Sequence, residues 1–177
     1  MSRSLGGTEL KRLHRDWRRR NETRLALLLD GVQNPFNVGA IMRTAAAYSV
    51  EHLWMVGGPS PDDTKVNKTA LGSQKFLTWT ACDSAAAAIA EIRSAGYRLI
   101  GVELAEGALP LHELDLSGDI CLALGHEDRG LSKDLLADND GLGYIPQLGR
   151  IGSLNVGTAA AIACYETRRT GWTATPG

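Results

Sequence analysis

Residues 145–157 read IPQLGRIGSLNVG, and the residues that follow, TAAAIACYETRR (158–169), have the composition of a helix. The first stretch is rich in glycine, which permits a close approach of the backbone to a ligand. It also holds Ser153 and Asn155, residue types that cap helices well. Taken alone, the stretch predicts either an ordinary tight turn into a helix or a loop that wraps a ligand.

The chain outside this stretch alternates between two kinds of segment. Apolar runs that end in glycine or polar residues predict buried strands, at 24–31, 51–58, 76–80, 97–104, 119–125 and 141–146. Segments with turn formers or caps followed by alanine-rich or helically spaced residues predict helices, at 34–49, 83–96, 132–140 and 153–169. The alternation predicts an α/β fold with a mostly parallel sheet flanked by helices on both faces. Ligands of such sheets bind beyond the carboxyl ends of the strands.

The charge of the chain is unevenly distributed. Residues 1–24 carry eight Lys/Arg against three Asp/Glu, whereas the remaining residues carry eleven against seventeen. Leu10, Leu13 and Trp17 are spaced as on one face of a helix. We therefore expect a basic N-terminal helical arm over 1–24, docked by its apolar stripe on a domain over 25–177. The arm predicts an anionic partner or simply a solvated helix face.

Several function classes leave no sequence signature. The first strand is not followed by GxGxxG, and the chain has no GxxxxGK[ST], GxSxG, HExxH or CxxC. We therefore expect no metal site, and three widely spaced cysteines that stay reduced in a cytoplasm. No signal peptide or apolar run of membrane-spanning length is recognised, so no membrane contact is expected. His126 beside Glu127 could serve acid–base chemistry, although such a histidine more often caps or packs.

Three segments carry a resemblance to a known family. They are NPFNVGAIMRTA (34–45), GHEDRGL (125–131) and IPQLGRIGSLNV (145–156), each placed after a predicted strand. In this order they resemble the motifs of the SpoU/TrmH-type RNA 2'-O-ribose methyltransferases of the SPOUT superfamily, and the resemblance extends from residue 25 to about residue 169. It implies an α/β-knot fold with a C-terminal deep trefoil knot, S-adenosyl-L-methionine as cofactor, and a homodimer whose active site is completed by the partner chain.

The resemblance also implies roles for individual residues. Arg43 matches the catalytic arginine. It would act either as the base for the ribose hydroxyl or as a cation that stabilises the developing oxyanion. The near-permanent charge of guanidinium favours the second role, and both roles stay open. The other matched catalytic positions are Asn37, Glu127, Ser153 and Asn155. The positions expected to bind the cofactor are Val102, Glu103, Gly125, Glu127, Gly130, Ile145, Leu148, Ser153 and Leu154.

The substrate prediction depends on the arm. The residues expected to bind RNA are Lys11, Arg12, Arg15, Arg18, Arg19 and Arg20. This layout is similar to that of the tRNA-modifying members, so tRNA is the favoured substrate and ribosomal RNA the second. Two alternatives are kept: a non-catalytic RNA-binding or assembly module with the same fold, and an oxidoreductase, which the missing glycine fingerprint disfavours. Gln147 and Gly157 depart from the usual motif, which commonly has methionine and serine there.

Overall fold

Residues Leu25–Asp30 form an interior strand of the sheet, and all of their side chains are buried. The protein is described here from a computed structural model that covers residues 2–174. Successive side chains of a strand point to opposite faces. The three odd-numbered leucines of this strand therefore enter one core, and Ala26 and Leu28 enter another. Burial on both faces explains why the run is apolar without alternation.

The sheet contains seven strands, and all of its pairings are parallel. The strands are β1 (Leu25–Asp30), β2 (His52–Val56), β3 (Thr78–Cys82), β4 (Arg98–Val102), β5 (Leu109–Pro110), β6 (Ile120–Gly125) and β7 (Gly141–Tyr144). Their order is β3-β2-β1-β6-β4-β7-β5. Because the strands are parallel, the loops after β1, β6, β4 and β7 leave the sheet at the same edge.

Helices cover both faces of this sheet. They are α1 (Gly7–Arg19), α2 (Pro35–Ala47), α3 (Thr64–Ala70), α4 (Ala85–Ser94), α5 (Lys133–Ala137) and α6 (Val156–Ala174). Helices α2, α3 and α6 pack on one face, and α4 and α5 pack on the other. The predicted α/β fold, with a parallel sheet between helical layers, is confirmed. The trefoil knot stays a prediction.

The element boundaries differ from the sequence-based ones in a few places. Strand β5 lies between the predicted strands at 97–104 and 119–125, where no strand was predicted, because a two-residue strand is too short to show a period. Helix α6 begins at Val156 rather than at 153, because Asn155 is the residue whose side chain caps it. Residues 147–155 before it are exposed.

Helix α1 contacts the rest of the chain near its C-terminal end. The Trp17 ring lies 5.0 Å from the Trp172 ring of α6, centroid to centroid. Leu10 and Leu13 remain 43% and 42% exposed, and no residue of α1 is buried. The expectation that the whole apolar stripe would dock on the domain is therefore wrong for these two leucines.

Candidate active site

A cavity of about 510 Å³ lies at the carboxyl edge of the sheet. Its walls come from the end of β4 and the residues after it (102–104), the end of β6 and its loop (124–130), and the segment from the end of β7 into α6 (144–159). The volume is within the range of about 300–1,000 Å³ that is typical of small-ligand sites. Position and size therefore make this cavity the candidate ligand site.

The loop after β6 turns back sharply on itself. His126 and Gly130 exchange two backbone hydrogen bonds, with N–O distances of 3.0 and 2.9 Å. A Cβ added to Gly125 would lie 2.2 Å from the carbonyl carbon of Gly130, so only glycine fits at this strand end. Gly130 has φ +66°, a conformation that side chains disfavour. The Glu103 carboxylate accepts a hydrogen bond from the Leu131 backbone N–H at 3.1 Å and so anchors the loop to β4.

The Glu127 carboxylate joins this loop to the loop after β1. It accepts hydrogen bonds from the backbone N–H groups of Gln33 and Asn34, at 3.1 and 3.0 Å, and from the Asn37 side-chain amide at 2.9 Å. Partial burial acts to raise the pKa of Glu127, but the hydrogen bonds from Asn37 and from backbone N–H groups outweigh it and lower the pKa to about 2. Glu127 is therefore an anion at neutral pH and a poor proton acceptor.

Asn37 extends the connection to the third loop. Its side-chain oxygen accepts a hydrogen bond from the Asn155 side-chain amide at 2.8 Å. The Asn155 oxygen in turn accepts from the backbone N–H groups of Gly157 and Thr158, at 2.9 and 3.2 Å, and so caps the N-terminus of α6. Glu127, Asn37 and Asn155 thus form one hydrogen-bonded chain, called the relay below, that ties the three motif loops together.

The residues predicted to bind the cofactor are gathered around the cavity, with one exception. Those that line it are Val102, Glu103, Gly125, Glu127, Gly130, Ile145, Ser153 and Leu154. Leu148 does not line it, and its side chain is fully exposed to solvent. The cavity is also lined by residues that were not predicted, among them Leu104, Asp128, Arg129 and Tyr144. Asp128 and Arg129 lie within the second motif, which was the available signal for them, whereas Leu104 and Tyr144 lie outside the motifs.

The residues predicted to be catalytic are divided between two places. Ser153 and Asn155 lie at the cavity, and Asn37 is buried beside it with 7% exposure. Arg43 is exposed and does not line the cavity. It lies on α2 six residues beyond Asn37, which is about 9 Å along the helix axis. Within residues 2–174, no ion pair or side-chain hydrogen bond involves Arg43, so its guanidinium remains available to a ligand.

The arm presents its positive charge to solvent. All six of its predicted RNA-binding residues are exposed: Lys11, Arg12, Arg15, Arg18, Arg19 and Arg20. In the part of the chain that the structure describes, none of them forms an ion pair. The Arg20 guanidinium lies 4.7 Å from the centre of the Trp17 ring. The charge of these six residues is therefore not neutralised by the acidic domain, whereas Arg24 at the end of the arm pairs with Asp119 at 2.8 Å.

Residues 2–174 contain neither a membrane-spanning helix nor a group of metal-ligating side chains. No helix there is long and apolar enough to cross a membrane. No three His, Cys, Asp or Glu side chains are grouped as metal ligands would be.

The parallel sheet, the cavity at its carboxyl edge and the glycine-rich loops define a ligand-binding α/β protein. Comparison with known families is more specific: the sequence model of the SpoU rRNA Methylase family matches residues 24–165. The chain therefore belongs to the SpoU rRNA Methylase family. This agrees with the resemblance seen in the three motifs.

Individual relatives differ in the RNA for which they are named. The chain is 34% identical over 151 residues to the 23S rRNA (guanosine-2'-O-)-methyltransferase RlmB of Acinetobacter baylyi, a match covering 84% of this chain and 61% of that protein. It is 30% identical over 150 residues to the tRNA (guanosine(18)-2'-O)-methyltransferase of Escherichia coli, covering 85% and 65% respectively. The chain thus spans less than two thirds of the length of either relative.

A solved structure shows the same fold. It is the SpoU methyltransferase AviRb from Streptomyces viridochromogenes, in complex with the cofactor AdoMet. The TM-score is 0.77 at 28% sequence identity, and the match covers 85% of this chain and 61% of the other. The fold of this chain is therefore that of a SpoU methyltransferase.

Proposed function

We propose that this chain is an S-adenosylmethionine-dependent RNA 2'-O-ribose methyltransferase. The observation that carries the proposal is the cavity at the carboxyl edge of the sheet, which the second and third motif loops line and to which Asn37 of the first motif is tied by hydrogen bonds to Glu127 and Asn155. Family membership and the AdoMet complex of AviRb support the same conclusion. Residues 25–177 would form the methyltransferase domain and residues 1–24 the arm. The family's trefoil knot, made by the segments around 125–130 and 145–156, is part of the proposal.

The cavity suits S-adenosylmethionine in shape. Leu124, Ile145 and Leu154 give it apolar walls that fit an adenine ring. A Cβ added to Gly152 would meet no protein atom within 4 Å, so the chain itself does not require glycine there. If only glycine is tolerated at position 152, the reason would be that a ligand approaches the backbone closely there.

The cavity also suits S-adenosylmethionine in charge. Glu103, Glu127 and Asp128 line the cavity against a single guanidinium, that of Arg129. A wall with this excess of carboxylates favours a cofactor that carries a sulfonium cation over its uncharged thioether product. The bound cofactor supplies a methyl group on a good leaving group, so the residues of the chain need only position and assist the ribose hydroxyl.

Different residues hold the loops of the site and assist the ribose hydroxyl. The relay of Glu127, Asn37 and Asn155 holds the loops and fixes α2 relative to α6. Ser153 presents its hydroxyl to the cavity. Arg43 keeps its charge, holds an RNA phosphate and stabilises the negative charge that develops on the ribose oxygen. Orientation of the two substrates supplies a large part of the rate.

Arg43 requires a second copy of the chain in this proposal. It is exposed on α2 and does not line the cavity of its own chain. A homodimer would bring Arg43 of one protomer to the cavity of the other and complete two equivalent sites. Beside the cavity, Leu148 and Ile151 expose apolar side chains, Ile151 to 77%, which a dimer contact would cover.

The RNA would be held partly by the arm. Phosphate contacts add affinity without reading sequence, and they release counterions. The exposed, unneutralised cations of α1 favour tRNA, following the layout of tRNA-modifying members. Ribosomal RNA is the second candidate, because the Acinetobacter relative with 34% identity is named for it. These RNAs place the proposed activity in the cytoplasm.

Two measurements test the function. Calorimetric titration should show binding of S-adenosylmethionine, and tritiated methyl groups should be transferred to bulk tRNA or ribosomal RNA at a ribose, identified by nucleoside mapping. Absence of cofactor binding would refute the proposal. Cofactor-independent RNA binding without methyl transfer would instead establish the non-catalytic RNA-binding module.

The arm has its own test. The test replaces Arg15, Arg18 and Arg19 by alanine. This removes exposed positive charge without removing a buried contact. RNA affinity should fall and its log–log salt dependence should flatten, by roughly 0.7–0.9 for each lost phosphate contact. Affinity for S-adenosylmethionine should stay constant. An unchanged salt slope would show that the arm is only a solvated helix.

A further inference from the structure

A second cavity, of about 530 Å³, lies between α1, the C-terminal end of α2 and the C-terminal half of α6. We call it the arm groove. It shares no lining residue with the candidate cofactor cavity. Its walls include four aromatic side chains, a histidine and two arginines, namely Trp17, Tyr48, Phe76, Trp172, His14, Arg18 and Arg168.

Two aromatic rings of the arm groove, those of Phe76 and Trp17, are exposed to solvent, each with a cation near the ring: Lys75 Nζ lies 5.4 Å from the Phe76 ring centre and the Arg20 guanidinium 4.7 Å from that of Trp17. Phe76 is 72% exposed and Trp17 is 40% exposed. Trp17 and Trp172 lie 5.0 Å apart at 55°, so their faces are not closed against each other in a parallel stack. Exposed ring faces at a cavity of this size suit a flat ligand that stacks on them.

The polar groups of the arm groove suit an anion. His14 and Arg18 are four residues apart on α1, which places them on the same helix face. Within residues 2–174, neither side chain has an ion-pair or hydrogen-bond partner. The Trp172 indole N–H is already donated to Asn21, at 3.2 Å. The polar groups available to a ligand are therefore the Arg18 guanidinium and the His14 imidazole, both of which can donate hydrogen bonds beside the aromatic rings.

The floor of the arm groove is rigid. Arg168 is 4% exposed and donates to three backbone carbonyls, those of Thr23, Tyr48 and Ser49, at 2.8–3.0 Å. These bonds fix the C-terminal end of α2 against α6 and the start of β1. The groove is thus preformed on this side, which limits the ordering cost of binding.

The arm groove begins one helical turn beyond Arg43. Ala46 and Ala47, which line it, are three and four residues after Arg43 on α2. A strand of RNA with its reacting ribose at Arg43 would therefore bring an adjoining nucleotide to the groove.

We propose that the arm groove binds an unpaired nucleobase of the RNA close to the methylated nucleotide, by stacking on Trp17 and Phe76, with its phosphate held by Arg18 and His14. Stacking on aromatic faces beside cationic groups is a general mode of single-strand binding. The proposal rests on the RNA-directed function proposed above. It adds a site that selects flexible, single-stranded RNA over a regular duplex.

The test compares two probes of equal charge. One is an oligoadenylate of about eight nucleotides, and the other is an abasic sugar–phosphate oligomer of the same length. The wild-type chain should bind the oligoadenylate about fivefold to 150-fold more tightly. Phe76→Ala should remove most of this preference, as should Trp17→Ala. Phe76 is mostly exposed, so its variant should fold normally.

Matched controls separate stacking from other effects. Arg18→Ala should weaken both probes by the same factor, and Leu109→Ala, an exposed apolar truncation on the edge strand β5, should change neither. Equal binding of both probes by the wild type, or equal losses in Phe76→Ala, would overturn the groove proposal. A shift of Phe76→Ala from dimer to monomer in light scattering would also overturn it, because the groove would then be a contact between copies.

The two proposals fail differently. If the wild type transfers methyl groups but shows no base-dependent affinity, only the arm-groove proposal is wrong. If base-dependent binding is present without any binding of S-adenosylmethionine, the methyltransferase proposal is wrong.

Discussion

Replacing Glu127 by glutamine should destabilise the fold in a pH-dependent way. The change keeps the size of the side chain but turns one acceptor into a donor. The oxygen Oε1 accepts from Asn34 and Asn37, whereas Oε2 accepts only from the Gln33 backbone N–H. Glutamine would best keep its oxygen at the first position, which leaves its NH₂ facing the N–H of Gln33. One hydrogen bond is then lost and two donors oppose each other.

The magnitude follows from the pKa of Glu127. The step from the ordinary value of 4.5 to about 2 in the folded chain corresponds to about 3 kcal/mol. Because the side chain is only partly buried, solvent screening reduces the expected effect to about 1–2 kcal/mol. A depressed folded pKa stabilises the fold above the unfolded value of 4.5, and this stabilisation is lost as the pH falls from 4.5 to 2.

Urea denaturation at pH 7 and at pH 3 would measure this. The free energy of unfolding of Glu127→Gln should lie about 1–2 kcal/mol below that of the wild type at pH 7, and the gap should shrink by more than half at pH 3. Asp128→Asn is the matched control, because its exposed carboxylate accepts no hydrogen bond within residues 2–174. A gap that is absent at pH 7, or equally large at both pH values, would refute this account of Glu127.

Three further predictions concern Arg43, Gly125 and their combination. Arg43→Ala should abolish methyl transfer with cofactor affinity nearly unchanged, and Arg43→Lys should restore it only partly, since a point charge lacks the planar fork; near-normal turnover of the alanine variant would show the assignment to be wrong. Gly125→Ala should abolish binding of S-adenosylmethionine in calorimetry, because the new Cβ meets backbone at 2.2 Å, whereas Gly149→Ala, in open space, should bind normally. When Arg43→Ala and Gly125→Ala chains exchange at random, about half of the dimers contain one chain of each variant. If Arg43 acts on the cavity of the other protomer, each of these dimers has one complete site, and the mixture should regain about a quarter of wild-type methyl transfer. If Arg43 acts on the cavity of its own chain, no activity should return.

The sequence predicted the framework of this protein well because the framework depends on local patterns. The apolar run of β1 is buried on both faces, and such a run has few alternatives in a soluble chain that alternates strands and helices. The three motif loops converge because parallel strands share one carboxyl edge. The placement of Gly125 and Gly130 at the cavity follows directly from their positions at a strand end and in its loop.

Features that depend on tertiary contacts were not predictable in the same way. The partial docking of α1 involves a ring contact between Trp17 and Trp172, which are far apart in sequence. Leu148 lies in the right motif but points away from the cavity, because an exposed loop has no period from which side-chain direction can be inferred. The relay joins residues separated by 90 and 118 positions, so its partners could be proposed as site residues but not as each other's partners.

The direction of every hydrogen bond in the relay is fixed by its two ends. A carboxylate can only accept, so Glu127 requires Asn37 to present its NH₂. The Asn37 oxygen must then accept from the NH₂ of Asn155, which leaves the Asn155 oxygen for the N-terminal N–H groups of α6. Those N–H groups carry the positive end of the helix dipole, and Glu127 carries a negative charge at the other end of the relay.

A carboxylate that accepts these hydrogen bonds, with a pKa of about 2, cannot take up the ribose proton at neutral pH. In the proposed reaction the ribose proton therefore leaves to solvent water while Arg43, which keeps its charge, stabilises the developing oxyanion, and the relay keeps α2 and α6 in one arrangement.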